Sequence, residues 1–279
     1  MIHKRIFLPC RHKESNGKKS GFKPYITTYI LENSPEIDVK RKRPLILFCP
    51  GGGYSFTSDR EAEPIALRLN ALGFHVCILR YSTKPFDFPA PLLDLCQAMQ
   101  LIRNKKQEWH IDDTKIIVGG CSAGGHLAAC LGVFWNNPLI QTYQKLNIQD
   151  IKPNGLLLCY PVITTDKTLT HGQTIENIVG NTKDMATIKN FMSLEKHISS
   201  STPPTFLWHT WDDTIVPVEN SLLFASGLKK HAIPAELHIF SSGPHGLSLA
   251  SKETAKTADM IVPECQLWPE LFANWLTRL

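Results

Sequence analysis

Apolar residues along this chain fall into two alternating patterns. Continuous apolar runs of strand length stand at 44–49 ("PLILFC"), 75–81 ("HVCILRY"), 115–121 ("KIIVGGC"), 155–162 ("GLLLCYPV"), 204–210 ("PTFLWHT") and 235–240 ("AELHIF"). Runs of this kind suit strands buried on both faces. Between them, apolar positions recur at helical spacing in "DREAEPIALRLNALGF" (59–74), "PAPLLDLCQAMQLIRNKKQEW" (89–109), "AGGHLAACLGVFW" (123–135), "VENSLLFASGLKKHA" (218–232) and "ECQLWPELFANWLTRL" (264–279). For the first of these helices Asp59 is the expected N-cap and Gly73 the stop. "YITTYIL" (25–31) adds a strand with polar flanks. Strand and helix in alternation, joined by short connections, predict one parallel sheet covered by helices on both faces.

The alternation is interrupted once. Over residues 163–201 apolar spacing is weak and Thr, Asn, Lys and Asp are frequent, which predicts a small cap or lid inserted at the mouth of the sheet. With 279 residues, 43% hydrophobic and 20% charged, the chain has enough apolar material for a single large core, so residues 1–279 are expected to form one domain.

Charge and cysteines narrow the picture further. The net charge is +5, with much of the surplus in "RHKESNGKKSGFK" and "VKRKRP", where no aromatic residues interleave, so nucleic acid is not an expected partner. The start "MIHKRIFLPCRHK" lacks a secretory h-region, and no apolar run approaches the roughly 20 residues of a membrane helix, so no membrane association is expected. Eight cysteines (Cys10, Cys49, Cys77, Cys96, Cys121, Cys130, Cys159, Cys265) show neither CxxC pairing nor metal-ligand spacing. They read as buried free thiols of a reducing cytoplasm, with no metal site.

Candidate chemistry begins in "GGCSAGG" (119–125), where Gly120-Cys121-Ser122-Ala123-Gly124 is a G-x-S-x-G pattern between a strand and a helix. A sharp strand-to-helix turn thrusts its central side chain out above the sheet, and small neighbours are needed for lack of room. Ser122 is thus a candidate nucleophile, whereas Cys121 should point back into the fold. A serine needs a base to take its proton and a carboxylate to hold that base, in the chain order Ser, Asp or Glu, His. "FLWHTWDDTIVPVENS" supplies Asp212 and Asp213 just past one strand, and "FSSGPHGLSL" supplies His245 past the next, where strand ends open into a crevice. Either aspartate could orient the base while the other caps a helix or stays solvated; Asp213 is favoured. His126, one turn after Ser122, reads as a packing residue, and His209 as a crevice or structural histidine.

The loop "CPGGGYSF" (49–56) then acquires a task. Attack by Ser122 would create an oxyanion, and backbone N–H groups aimed at it are each worth ~3 kcal/mol. Gly52 and Gly53, with the N–H of Ala123, fit that role. The loop lacks the Lys-Ser or Lys-Thr of a P-loop, and no G-x-G-x-x-G opens the helix, so phosphate binding is disfavoured. Tyr54, Tyr160, Trp211 and Leu247 flank these loops in sequence and are candidates to shape a substrate pocket.

These segments resemble the α/β-hydrolase superfamily, and more narrowly the small acetyl-esterase group that includes bacterial bifunctional acetylxylan and feruloyl esterases. The resemblance rests on "CPGGGYSF", "DREAEPIA", "FPAPLLDL", "WHIDDTKIIVGGCSAGGHLAA", "YPVIT", "PPTFLWHTWDDTIVPVENSLLFA" and "ELHIFSSGPHGLSLA", and runs from about residue 45 to the end. It implies an eight-stranded, mostly parallel sheet, a Ser122, Asp213, His245 triad, an oxyanion hole in the PGGGY loop, and hydrolysis of carboxylic esters without metal or cofactor. It selects Asp213 over Asp212, because members of the group carry the catalytic Asp three residues before Val-Pro, as in "DTIVP". Pro50 stands where larger relatives carry His, "SSGPHG" where a second glycine often precedes His, and Trp211 where smaller residues are common. The expected substrate is a small ester, most of all an acetylated sugar or xylo-oligosaccharide. Peptide or amide cleavage by the same triad, and a catalytically silent binding module, remain the alternatives.

Overall fold

The computed structural model describes residues 1–9, 21–138, 140, 147–180 and 184–279. Cys10 and most of the first basic stretch lie outside the described residues. Eight strands form one sheet in the order β1-β2-β4-β3-β5-β6-β7-β8. They are β1 (Arg5–Phe7), β2 (Tyr25–Tyr29), β3 (Arg43–Cys49), β4 (His75–Arg80), β5 (Ile111–Cys121), β6 (Gly155–Cys159), β7 (Thr205–Thr210) and β8 (Ala235–Phe240). β1 and β2 run antiparallel at one edge, and every pairing from β4 to β8 is parallel.

The described helices are α1 (Glu63–Ala71), α2 (Ala90–Asn104), α3 (Ser122–Phe134), α4 (Ile148–Ile151), α5 (Gly172–Val179), α6 (Met185–Phe191), α7 (Glu219–Lys230) and α8 (Trp268–Thr277). They divide between the two faces, as the continuous apolar strands require. Leu45 and Leu47 of β3 pack with α2, α3 and α7, while Ile46 and Phe48 pack with α1 and α8. Each such side chain, fully buried, contributes about 1.5–3 kcal/mol. α3 is buried along its whole length, which its Ala and Gly content permits.

Some local expectations are corrected. α1 starts at Glu63 with Ala62 at its N-cap and no side-chain cap; Asp59 instead pairs with Arg80 at 2.7 Å. Pro64 near the start of α1 has no N–H to be capped, which removes part of the need. Gly73 does follow the helix end with φ +91°. The C-terminal helix starts only at Trp268, after a 3-10 stretch from Pro263 to Leu267. β1, only three residues long, had no periodic signal to reveal it. Residues 163–201 hold α5, α6 and a short 3-10 turn.

The seven described cysteines are free and buried. Among the described residues no helix is long and apolar enough to cross a membrane.

Candidate active site

Ser122 sits at the junction of β5 and α3 with φ +53°, a left-handed conformation that is costly for a residue with a Cβ. Crowding holds it there. A Cβ at Gly124 would meet the Cys49 carbonyl oxygen at 2.0 Å, and one at Gly120 would meet the Gly124 carbonyl oxygen at 2.3 Å. The two glycines of the motif thus let α3 start directly against the end of β3, and the serine side chain has only the crevice to face.

Asp213 follows β7 and His245 follows β8, and the structure brings both to Ser122. His245 Nδ1 lies 2.6 Å from Asp213 Oδ2, and His245 Nε2 lies 2.8 Å from Ser122 Oγ. The Asp213 carboxyl is buried. Burial alone would push it up, but hydrogen bonds from His209, His245 and the Val216 N–H outweigh this and hold it well below the usual carboxylate range. It is therefore an acceptor, so His245 donates from Nδ1, which leaves Nε2 to accept the Ser122 hydroxyl proton.

Four donors surround this carboxylate. Oδ1 accepts from the N–H groups of Ile215 and Val216, both at 2.9 Å. Oδ2 accepts from His245, and His209 Nε2 stands 3.3 Å away. His209 Nε2–H also donates to the Val216 carbonyl at 2.9 Å, so its Nδ1 is free to accept from Ser221 Oγ–H at 2.8 Å. His209 is thus a structural support of the aspartate, fully buried and away from the cavity wall. Asp212 caps no helix and is exposed on its loop, as one of the two expectations had it. Its carboxylate accepts from Ser242 Oγ at 2.7 Å and Gly243 N at 2.8 Å, tying the β7 loop to the loop that carries His245.

The glycine loop has an uneven hydrogen-bond inventory. Its carbonyls are all engaged: Pro50 by Tyr81 Oη at 2.7 Å, Gly51 by Ser58 N at 2.9 Å, Gly52 by Ser55 N at 3.0 Å, Gly53 by Asn177 Nδ2 at 2.7 Å, and Tyr54 by Lys84 N at 2.8 Å. The Gly51 N–H is taken by Glu61 Oε2 at 2.8 Å. For the N–H groups of Gly52, Gly53 and Ala123 the described residues offer no internal acceptor. Ala123 also opens α3, where the helix dipole favours negative charge. Gly52 holds φ +125°, and a Cβ there would meet the Phe56 carbonyl oxygen at 2.3 Å, so only glycine fits.

A cavity of about 360 Å³ opens above these atoms, with Gly52, Gly53, Ser122 and His245 in its wall. The remaining lining residues include polar Ser55, Ser58, Arg60, Glu61, His171, Gln173 and Lys256 and apolar Phe56 and Ile215. His171 and Gln173 belong to the 163–201 segment. Burial, and then the neighbouring His245, hold the His171 imidazole below its ordinary value.

None of the four residues expected to shape the pocket is in this wall. Tyr54 is buried and its hydroxyl meets His126 Nδ1 at 2.9 Å, because a left-handed backbone at φ +58° turns the ring beneath α3. Tyr160 is buried with its ring in a T-shaped pair with that of His245, centroids 5.2 Å apart. Leu247 lies in the core beside α8, and Trp211 is 63% exposed outside the cavity. Proximity along the chain did not determine side-chain direction. His126 is, as expected, a packing residue: burial lowers its imidazole to about 4, and it spans Tyr54 and the Met192 carbonyl at 3.1 Å. Among the described residues no three His, Cys, Asp or Glu side chains converge as a metal site requires.

A mostly parallel eight-stranded sheet with a serine at the β5–α3 elbow and a glycine loop after β3 defines an α/β hydrolase. The family model BD-FAE matches residues 34–228, and the chain belongs to that family. It is 35% identical over 237 residues to endo-1,4-beta-xylanase B of Butyrivibrio fibrisolvens, covering 84% of this chain and 36% of that protein. To the acetylxylan esterase of Xylanibacter ruminicola it is 28% identical over 210 residues, covering 74% of this chain and 41% of the other. The chain spans well under half the length of these two curated relatives. The crystal structure of an acetyl ester-xyloside bifunctional hydrolase from Caldicellulosiruptor lactoaceticus superposes with a TM-score of 0.79 at 37% identity, covering 93% of this chain and 89% of that one.

Proposed function

We propose that the chain is a serine carboxylesterase that removes acetyl groups from a sugar or short xylo-oligosaccharide. The observation that carries this reading is the series Asp213, His245, Ser122, ending beneath N–H groups that have no internal acceptor. In this reading Ser122 Oγ attacks the ester carbonyl while its proton passes to His245 Nε2. Gly52, Gly53 and Ala123 hold the resulting oxyanion. The C–O bond to the alcohol then breaks, and the alcohol leaves with the proton from His245. Water attacks the acetyl-enzyme, giving its proton to His245, and acetate departs as Ser122 regains its hydrogen. Asp213 holds the imidazole in the tautomer this sequence needs and supports its charge.

The substrate assignment draws on two supports. Ser55, Ser58, Arg60, His171, Gln173 and Lys256 in the cavity wall offer hydrogen-bond partners that a polyhydroxylated alcohol can use and a lipid chain cannot. The relatives named for acetylxylan esterase and acetyl ester-xyloside activity point the same way.

The test is direct. Wild type should hydrolyse aryl acetates, prefer acetate to butyrate, and release acetate from acetylated xylo-oligosaccharides; an organophosphonate should label Ser122. Ser122→Ala should lower turnover by roughly 10⁴-fold or more with the fold intact. Turnover surviving in folded Ser122→Ala would overturn the mechanism, and a preference for aminoacyl anilides or feruloyl esters would overturn the substrate class.

A further inference from the structure

One buried acid in the cavity wall has no role in the reaction as described. Glu61 is 4% exposed, stands on the turn before α1, and among the described residues pairs with no cation. A buried carboxylate without a counter-ion is unfavourable unless its oxygens are fully hydrogen-bonded. Both are used. Oε2 accepts the Gly51 N–H at 2.8 Å, and Oε1 accepts the Tyr160 hydroxyl at 2.8 Å.

Each bond leads to a different half of the site. Gly51 adjoins Gly52 and Gly53, and it is wedged so tightly that an added Cβ would stand 2.6 Å from Glu61 Oε2 and 3.0 Å from Ser122 Cβ. Tyr160 accepts the Ser248 N–H at 2.9 Å, three residues beyond His245, while its ring makes a T-shaped pair with the imidazole. The same turn braces that loop twice more: Arg60 O accepts Ser248 Oγ–H at 2.6 Å, and the Arg60 guanidinium donates to the Gly246 carbonyl at 3.0 Å. The glycine loop comes from β3 and the histidine loop from β8, with three strands, β5, β6 and β7, between them in the sheet. Through Glu61 they share one anchor.

The chemistry specifies a carboxylate at this point. Both partners present hydrogens: one is a backbone N–H, and the other is a phenol whose oxygen is already occupied by Ser248. Burial pushes the Tyr160 phenol well above its ordinary value, so it remains a donor. An amide could accept from only one of the two and would turn its NH₂ toward the other.

We propose that Glu61 is a positioning residue that sets the glycine-loop N–H groups and the His245 loop in register with Ser122. It acts through Gly51 and Tyr160 rather than on the reacting atoms, and the inference rests on the ester-cleaving reading of the site.

The experiment uses the full chain with sites counted by phosphonate titration of Ser122. Glu61→Gln, nearly isosteric, should lower kcat per titrated site for an aryl acetate about 10- to 100-fold, with KM within about twofold. Affinity for an alkylboronic acid, which adds to Ser122 Oγ and presents a tetrahedral oxyanion, should fall in proportion. Tyr160→Phe should lower kcat as well, and the double variant should be less impaired than the product of the two single effects, because both act through one carboxylate. Per-site kcat and boronate affinity within twofold of wild type in Glu61→Gln, with only thermal stability reduced, would overturn the proposal, as would a rise in KM alone. A wild type that titrates with phosphonate but cleaves no ester would defeat the functional reading instead, and the boronate comparison would still decide the role of Glu61.

Discussion

The floor and the outer wall of the cavity are built on opposite plans. On the floor, each carbonyl from Pro50 to Tyr54, both oxygens of Asp213 and both ring nitrogens of His245 have partners, while the N–H groups of Gly52, Gly53 and Ala123 have no acceptor among the described residues. On the wall, Phe56 and Ile215 are 59% and 49% exposed, and Lys256 is exposed as well. A preorganised floor can stabilise developing charge without reorganising, whereas an open wall of loosely held side chains can change without disturbing it. In the proposed function, reaction and substrate choice are thereby assigned to separate parts of the fold.

The sharpest way to break the contrast is at the floor. Asp213→Asn should lower kcat/KM by on the order of 10³–10⁴-fold, since the amide favours the wrong imidazole tautomer. The same variant has a pH signature. The Asp213 carboxyl is held below its unfolded value, so its contribution to stability is present above about pH 4 and is lost as pH falls through the folded value. Melting temperature of wild type should decline on acidification below about pH 4, and Asp213→Asn should flatten that decline. An equally steep decline in the variant would assign acid lability elsewhere.

A smaller effect is expected where the floor is held from beneath. Tyr54→Phe leaves buried His126 Nδ1 without its donor, which should cost about 1–3 kcal/mol in chemical denaturation. Its kcat should fall less than tenfold, because Gly51 and Gly53 keep their own restraints. The smallest effects belong to the wall: Phe56→Ala and Ile215→Ala should move KM for acetylated sugars roughly two- to fivefold with kcat little changed. Trp211→Ala, exposed and outside the cavity, should alter neither; a changed acetate-to-butyrate ratio there would mean that the wall extends further than Phe56 and Ile215.

The same division decided what the chain alone could reveal. Strands buried on both faces appear as unbroken apolar runs, so β3 to β8 were legible, as were α1, α2, α3, α7 and α8, whereas α4, α5 and α6 were not. Ser122, Asp213 and His245 were legible because each follows such a run on a loop rich in Gly, Pro or Asp. Glu61 was not. In "DREAEPIA" it looks like one more acid at a helix start, and its meaning lies in Tyr160, 99 residues away. His171 and Gln173 were hidden in the stretch with the weakest periodicity. Tyr54, Tyr160, Trp211 and Leu247 misled for the converse reason, since their neighbours were informative but backbone dihedrals such as the positive φ of Tyr54 set where each side chain went.

Asn177 of α5 carries a consequence for how such enzymes diversify. Its amide donates to the Gly53 carbonyl and to Ser55 Oγ, both at 2.7 Å. The segment that carries α5 is therefore no detachable accessory: exchanging it wholesale for another would unpick the glycine loop it braces. Lineages or engineers seeking a new alcohol are better served by rewriting His171 and Gln173 while keeping the amide one turn further along the same helix.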